Sequence, residues 1–128
     1  MKKMLAQMLM ILGMAISVNF AGEVKSIGSA KEFDDLVNAG KPVIADFFAT
    51  WCGPCKMLAP TIDDLAKTYG DKVTFVRVDV DQVGELATRL QIQSIPDVRV
   101  FNGGKQQDQF IGFQDKSVYE KALEKVTK

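Results

Sequence analysis

The sequence predicts an α/β domain with a mixed, mainly parallel central sheet and helices on both faces. Three observations lead to this fold class. Strand-like and helix-like segments alternate along the chain. An almost unbroken apolar run, "PVIADFFA" at residues 42–49, is typical of a central strand covered on both faces. Finally, "NGG" between two strand-like segments is a strong hairpin signal.

The first half of the domain reads as strand, helix, strand, helix. Residues 24–27 are a short strand candidate, and "SAKEFDDLVNAG" begins with Ser29 followed three residues later by Glu32, which is a capping-box signature. The apolar run at 42–49 is the second strand. From Cys52 to Tyr69, apolar residues recur at helical spacing, and Gly70 ends that helix.

The second half continues the alternation and then closes with antiparallel strands. "KVTFVRVDV" is a β-branched strand, and "QVGELATRL" is a short helix. "DVRVF" and "KQQDQFIGF" flank the "NGG" turn as the two strands of a hairpin, and residues 115–127 form the last helix. The predicted order is therefore βαβαβα, then a hairpin and a closing helix.

The first 22 residues differ from the rest and are predicted to be a signal peptide, which leaves 23–128 as the folded domain. Lys2 and Lys3 precede an apolar stretch, residues 4–20, with small residues near its end, which is the layout of a secretory leader. The alternatives are a retained membrane anchor made of residues 4–20 or a buried helix of the domain. The expected location is outside the cytosol, periplasmic or secreted.

Composition excludes several classes of function. The chain has 128 residues, which is one domain's worth, and its 16 basic and 16 acidic residues give no electrostatic reason for a nucleic-acid partner. It contains no histidine, which excludes Ser–His–Asp triads, Cys–His nucleophile pairs and histidine-ligated metals.

The two cysteines, Cys52 and Cys55, lie together in "WCGPC". A structural disulfide stabilises more when it closes a longer loop, so this pair would constrain little beyond its own turn. Zinc requires four ligands, which the chain does not obviously supply, so no metal is expected. A redox-active pair is the better interpretation, because thiols outside the cytosol tend to oxidise.

The position of the pair suggests its chemistry. Cys52 falls where a strand gives way to a helix, and there the free backbone N–H groups and the helix dipole stabilise a thiolate. Cys55 is one turn further along on the same side and can attack a mixed disulfide formed at Cys52. Gly53 permits close approach of another chain, and Pro54 fits a first helical turn.

Two further residues have a structural and a functional interpretation. Asp46 interrupts the buried run, either as a salt-bridged structural acid or as a proton acceptor for Cys55, in which case burial would raise its pKa into a useful range. Pro96, in "SIPD", either starts a strand or carries a cis bond that shapes a groove.

Taken together, "ADFFATWCGPCKMLAP", "VDVDQ", "SIPDVRVFNGGK" and "IGF" resemble the thioredoxin family in order and spacing, over about residues 23–127. The resemblance implies a thioredoxin fold and an enzyme that reduces protein disulfides without a cofactor. It implies that Cys52 is the nucleophile, Cys55 the resolving thiol and Asp46 the proton acceptor. It also implies that Pro96 is cis and abuts the cysteine pair.

The same resemblance implies a contact surface on which the backbone of Ile95 hydrogen-bonds a bound polypeptide. Its residues would be Trp51, Gly53, Pro54, Ile95, Pro96 and Gly112. From the sequence alone, ordinary packing and turn formation explain Trp51, Ile95 and Gly112 equally well. The expected partners are protein disulfides and a membrane thiol electron donor, with no nucleic acid, and the chain is expected to be a monomer.

Two other functions remain open for this fold. One is a disulfide oxidase or isomerase, although the Gly–Pro between the cysteines resembles that of reductants. The other is a binding module in which the cysteines are incidental to function.

Four residues depart from the family pattern. Phe48 stands where tryptophan is frequent, which should be harmless. Arg77 replaces a common lysine near the buried aspartate, and we hypothesise that it holds Asp46 more firmly ionised than lysine would. Asp97 replaces the usual threonine and either adds negative charge near the groove or turns outward, of which the second is expected. Arg99 lies in a generally apolar strand, which raises the question of how completely that strand is covered.

Overall fold

The computed structural model describes residues 22–128, which form five strands and four helices in the predicted order. The elements are β1 Val24–Ser26, α1 Ala30–Val37, β2 Val43–Phe48, α2 Gly53–Tyr69, β3 Thr74–Asp79, α3 Gly84–Arg89, β4 Asp97–Asn102, β5 Lys105–Ile111 and α4 Lys116–Val126. Apart from Gly22, the predicted leader lies outside the described residues and stays a prediction. Within 22–128, no helix combines the length and apolar character needed to cross a membrane.

The strands form one mixed sheet in the order β1-β3-β2-β4-β5. The first three neighbours, β1, β3 and β2, are parallel, whereas β4 is antiparallel to β2 and β5 is antiparallel to β4. The predicted fold class is therefore confirmed, including the antiparallel hairpin at one edge.

Local signals in the sequence explain where two of these elements begin or turn. The Ser29 hydroxyl accepts a hydrogen bond from the Glu32 backbone N–H at 3.1 Å, which satisfies one of the free donors at the start of α1. Gly103 and Gly104 connect β4 to β5 with φ angles of 61° and 78°. Both angles are in the left-handed region, as the tight turns that join twisted strands require.

The helices cover both faces of the sheet and create two apolar cores. One core packs α2 and α4 on the sheet, and its buried residues include Ile44, Leu58, Leu65, Phe75, Val98, Tyr119 and Leu123. The other packs α1 and α3 on the opposite face, with Phe33, Val43, Phe47, Val78, Leu86 and Phe101. β2 contributes to both cores, which explains why its sequence is apolar at almost every position.

The charged residues of β4 do not lie as expected from sequence. Asp97 is 1% exposed, so the expectation that it turns outward is wrong. Arg99 is also buried, and its guanidinium lies 3.1 Å from the Asp97 carboxylate. Residues two apart on a strand share a face, and this pairing lets both charges enter the interior together. The sequence left open how completely β4 is covered, and the structure shows that all its residues except Asn102 are buried.

The topology also brings the chemistry-bearing loops together. Since β2 and β3 are adjacent and parallel, the segments that follow them leave the sheet at the same edge. That edge holds the "WCGPC" segment after β2 and the "VDQ" segment after β3. Crevices at the carboxyl ends of strands are the usual place for binding sites in sheets of this kind.

Candidate active site

The two cysteines form a disulfide at the start of α2. Cys52 is the N-cap residue, with an extended backbone, and Cys55 lies in the first turn. Their Cα atoms are 5.3 Å apart. The Cys52 sulfur accepts the backbone N–H of Cys55 at 3.2 Å, so it occupies the position at which a helix binds an anion. The prediction that Cys52 lies at the start of a helix is confirmed. It lies at the N-cap, one residue before the first turn in which it was expected.

A short segment that precedes β4 packs against the pair. Ile95 contacts the cluster formed by Ala49, Cys52 and Cys55, and its carbonyl oxygen is 3.8 Å from the Cys52 sulfur. The Ile95–Pro96 peptide bond is cis, as the family resemblance implied. The structure therefore brings Cys52, Ile95 and Pro96 together across the fold.

Gly112 joins this group from the end of β5. Its backbone N–H donates to the carbonyl oxygen of Pro96 at 2.8 Å, and its φ of 84° lies in the left-handed region that favours glycine. Trp51, Gly53 and Pro54, which flank or separate the two cysteines in the chain, are exposed. Trp51 is 70% exposed, and its indole N–H donates to Asp81 Oδ2 at 2.8 Å.

Asp46 is the buried acid of the site. It is 1% exposed, and burial raises its pKa from 3.8 to about 6. Arg77, whose Nε lies 3.8 Å from Asp46 Oδ2, opposes this rise in pKa, and the Asp63 carboxylate adds to it; the value of about 6 is the net result. The Arg77 guanidinium also lies 3.8 Å from Asp63 Oδ1, so it is shared between the two carboxylates.

A cavity of about 260 Å³ is lined by both Asp46 and Cys55. Its lining includes Asp46, Phe48, Ala49, Thr50, Cys55, Lys56, Ala59 and Arg77. The volume is sufficient for several waters, and the charged side chains of Asp46 and Arg77 in its otherwise largely apolar lining can hydrogen-bond them. Asp46 Oδ1 has no hydrogen-bond partner among the described residues, so it is available to such a water. Asp46 and Cys55 therefore face the same cavity.

Comparison with known proteins gives the family. The family description "Thioredoxin" matches residues 24–125, which is most of the chain. The chain belongs to the thioredoxin family.

Individual thioredoxins are similar over nearly their whole length. A thioredoxin of Mycoplasmoides gallisepticum is 43% identical over 100 residues, which cover 78% of this chain and 99% of the relative. The solved thioredoxin of Plasmodium falciparum has a TM-score of 0.74 at 40% identity, covering 80% of this chain and 98% of that one. The Malassezia sympodialis structure has a TM-score of 0.79 at 34% identity, covering 90% and 100%.

Thioredoxins are disulfide reductases that act on protein disulfides, and this chain is a protein-disulfide reductase with a Cys52–Cys55 pair. Within residues 22–128, no cluster of three or more His, Cys, Asp or Glu side chains could hold a metal ion.

Sequence reasoning missed three residues around this thioredoxin site. Asp81 accepts the hydrogen bond of the Trp51 indole. The topology could have predicted this contact, because the two residues follow adjacent parallel strands. Ile111 and Phe113, 52% and 46% exposed, present apolar surface on either side of Gly112. The "FIGF" segment could have indicated this surface, because its apolar residues continue past the end of a strand.

Proposed function

We propose that Cys52 is the nucleophile of a thioredoxin that reduces protein disulfides outside the cytosol. The observation that carries this proposal is the position of the Cys52 sulfur, which caps α2 and faces the carbonyl oxygen of Ile95. At a helix N-terminus the thiolate form is stabilised, and the thiolate is the form that attacks disulfides.

The reaction runs in two exchange steps. The Cys52 thiolate attacks one sulfur of the target disulfide, forms a mixed disulfide with it and releases the other target sulfur as a thiolate. The Cys55 thiolate then attacks Cys52, which forms the Cys52–Cys55 disulfide and releases the second target sulfur. The protein dithiol loses two electrons and two protons, and the target disulfide gains both.

Asp46 accepts the Cys55 proton in the second step. Its pKa of about 6 leaves it ionised at neutral pH yet basic enough to bind a proton, and the shared cavity provides a water path. The structural alternative, a simple salt bridge with Arg77, is weakened by the 3.8 Å separation and by the unpartnered Oδ1.

The polypeptide substrate docks beside Cys52 as an added strand. The backbone of Ile95 hydrogen-bonds the substrate, and Trp51, Gly53, Pro54, Pro96 and Gly112 line the contact. The exposure of Trp51 and the proximity of Ile95 to Cys52 support this assignment. A substrate strand held there places its disulfide against the nucleophile.

Export is proposed from the leader-like residues 1–22, and a membrane thiol carrier is proposed as the electron donor. Mass spectrometry of the protein isolated from its host tests the proposed export. A mature N-terminus near residue 23 is expected. An intact N-terminus with protein in the cytosol would contradict export, whereas an intact N-terminus at the membrane would favour an anchor.

Trapping with Cys55→Ser tests the mechanism. Without the resolving thiol, mixed disulfides between Cys52 and client proteins accumulate, and a Cys52→Ser control forms none. If both variants retain full biological activity, the protein acts as a binding module. If the adducts appear on Cys55 in the control, the assignment of the nucleophile is wrong.

A redox titration against glutathione tests the direction of electron flow. The reductant assignment predicts that the Cys52–Cys55 pair becomes reduced only at strongly reducing glutathione ratios. Equilibration near the poise of known disulfide oxidants would instead identify an oxidase or isomerase.

A further inference from the structure

A buried ion pair lies directly beside the proposed substrate-docking segment. Asp97 and Arg99 project from the same face of β4 and are 1% and 6% exposed. Arg99 Nε donates to Asp97 Oδ1 at 3.2 Å, and Arg99 Nη2 donates to Asp97 Oδ2 at 3.1 Å. Two parallel hydrogen bonds of this kind fix the relative orientation of both side chains.

Two glutamines of β5 extend the pair across the hairpin. Gln109 Nε2 donates to Asp97 Oδ2 at 3.0 Å, and Arg99 Nη1 donates to Gln106 Oε1 at 3.3 Å. The Arg99 guanidinium also lies over the Phe47 ring, 6.0 Å from its centroid. The network therefore joins β4 to β5 by side chains in addition to their backbone ladder.

The network is close in sequence to Ile95, Pro96 and Gly112, the part of the proposed contact surface that lies beside β4 and β5. Asp97 follows Pro96 directly, and the Pro96 carbonyl accepts the Gly112 N–H at 2.8 Å. Gly112 lies three residues beyond Gln109, directly after the end of β5. The preceding carbonyl, that of Ile95, is 3.8 Å from the Cys52 sulfur. Holding the two strands in register therefore also holds the edge that faces the nucleophile.

Stability alone is a weak reason for this arrangement. Taking two charges out of water costs about as much as their attraction returns, and apolar replacements of buried pairs are often neutral or stabilising. What the pair provides over apolar side chains is a directional, doubly bonded link between neighbouring strands.

We propose that Asp97 and Arg99 are positioning residues that hold the Ile95–Pro96 backbone and Gly112 in the geometry that accepts a protein substrate. This inference rests on the proposed function, in which the Ile95 backbone pairs with the bound polypeptide. Loss of the pair weakens docking of protein disulfides and leaves the reactivity of the cysteines unchanged.

The test compares two double variants with the same substitutions. Asp97→Thr/Arg99→Met removes both buried charges together, so neither is left unpaired. Asp34→Thr/Arg89→Met is the matched control, because Arg89 and Asp34 form an exposed ion pair at 2.7 Å between α3 and α1. Each protein is assayed for kcat and KM with insulin and for the rate with a small aromatic disulfide, which requires no strand docking.

The buried double variant should raise KM for insulin about fivefold, which corresponds to the loss of one net hydrogen bond, with kcat and the small-disulfide rate unchanged. The control should match wild type. An unchanged KM, or an equal loss of rate with the small disulfide, would overturn the proposal.

Gln109→Ala keeps the test decisive if the buried double variant fails to fold. Gln109 is exposed, and its removal leaves the Asp97–Arg99 pair intact. A smaller rise in KM is expected in this variant, and no rise would overturn the inference. If wild type itself does not reduce insulin, the proposed function fails, and the inference that depends on it fails too.

Discussion

The carbonyl oxygen of Ile95 lies 3.8 Å from the Cys52 sulfur, although the two residues are 43 positions apart in the chain. Cys52 belongs to the start of a helix, and Ile95 belongs to the segment before an antiparallel strand. A polypeptide that pairs with the Ile95 backbone is therefore delivered to the sulfur that reacts with it. In the proposed mechanism, docking and chemistry therefore occur at one place.

The pH dependence of the reaction should follow the ionisation of Asp46. Burial raises the pKa of this carboxyl to about 6, so above that pH it is ionised and can accept the Cys55 proton, whereas below it the acceptor is already protonated. We expect the insulin reduction rate to fall as pH drops through about 6. Asp46→Asn should lower the neutral-pH rate by about 100-fold or more and abolish this inflection. An unchanged inflection in Asp46→Asn would exclude the role.

The same residue should make the folded protein less stable at neutral pH. Because the folded pKa of about 6 exceeds the ordinary 3.8, the folded state binds this proton more tightly than the unfolded state does. The contribution of Asp46 to the free energy of unfolding therefore falls as pH rises from about 4 to about 6 and then stays constant. The total decrease is up to about 3 kcal/mol.

Urea unfolding at two pH values measures this effect. Asp46→Asn should increase the free energy of unfolding relative to wild type at pH 7 but not at pH 4. Asp64→Asn, which removes an exposed carboxyl on α2, is the control for the loss of one carboxylate as such. Destabilisation of Asp46→Asn at pH 7 would contradict the burial argument.

Arg77 should oppose the rise that burial causes in the pKa of Asp46. Its guanidinium lies 3.8 Å from both Asp46 and Asp63, a bridging geometry that suits a planar group better than a single ammonium. NMR titration of the Asp46 carboxyl carbon should therefore give a higher pKa in Arg77→Lys than in wild type, and a still higher one in Arg77→Met. Equal pKa values in wild type and Arg77→Lys would dispose of the hypothesis.

The hydrogen bond from Trp51 to Asp81 should orient the indole for substrate contact. Trp51 is 70% exposed, so its environment leaves the ring free to turn once the 2.8 Å bond is removed. Asp81→Ala should raise KM for insulin about two- to fivefold, the range expected for one lost hydrogen bond, with kcat unchanged. Asp71→Ala, in the exposed turn after α2, is the control.

Fluorescence provides a second readout for this prediction, because Trp51 is the only tryptophan of the chain. Its emission should shift in Asp81→Ala and remain as in wild type in Asp71→Ala. Identical spectra and identical KM values in the three proteins would show that the bond does not control the indole.

The elements of the fold were predictable because local physics and tertiary packing agree in this chain. The apolar run of β2 reflects its burial on both faces, and the two glycines of the hairpin adopt the left-handed angles that the turn needs. The cysteine pair was predictable because the strand-to-helix junction is visible in the sequence around "WCGPC".

What the sequence concealed are the pairings between side chains. Asp97 was expected to turn outward, whereas burial of its carboxylate is made possible by partners that neutralise it. Its partner, Arg99, was visible two residues later on the same strand face, but only the register of β5 shows that Gln109 completes the set. The bond between Trp51 and Asp81 likewise depends on which strands are neighbours.

The reactivity of the Cys52 thiol tests the central claim most directly. In Cys55→Ser, Cys52 is the only thiol, so its rate of alkylation by iodoacetamide as a function of pH gives its pKa. Capping of α2 by this sulfur predicts a midpoint clearly below the ordinary value of about 8.5, together with rapid alkylation at neutral pH. A midpoint at or above 8.5 would contradict the account.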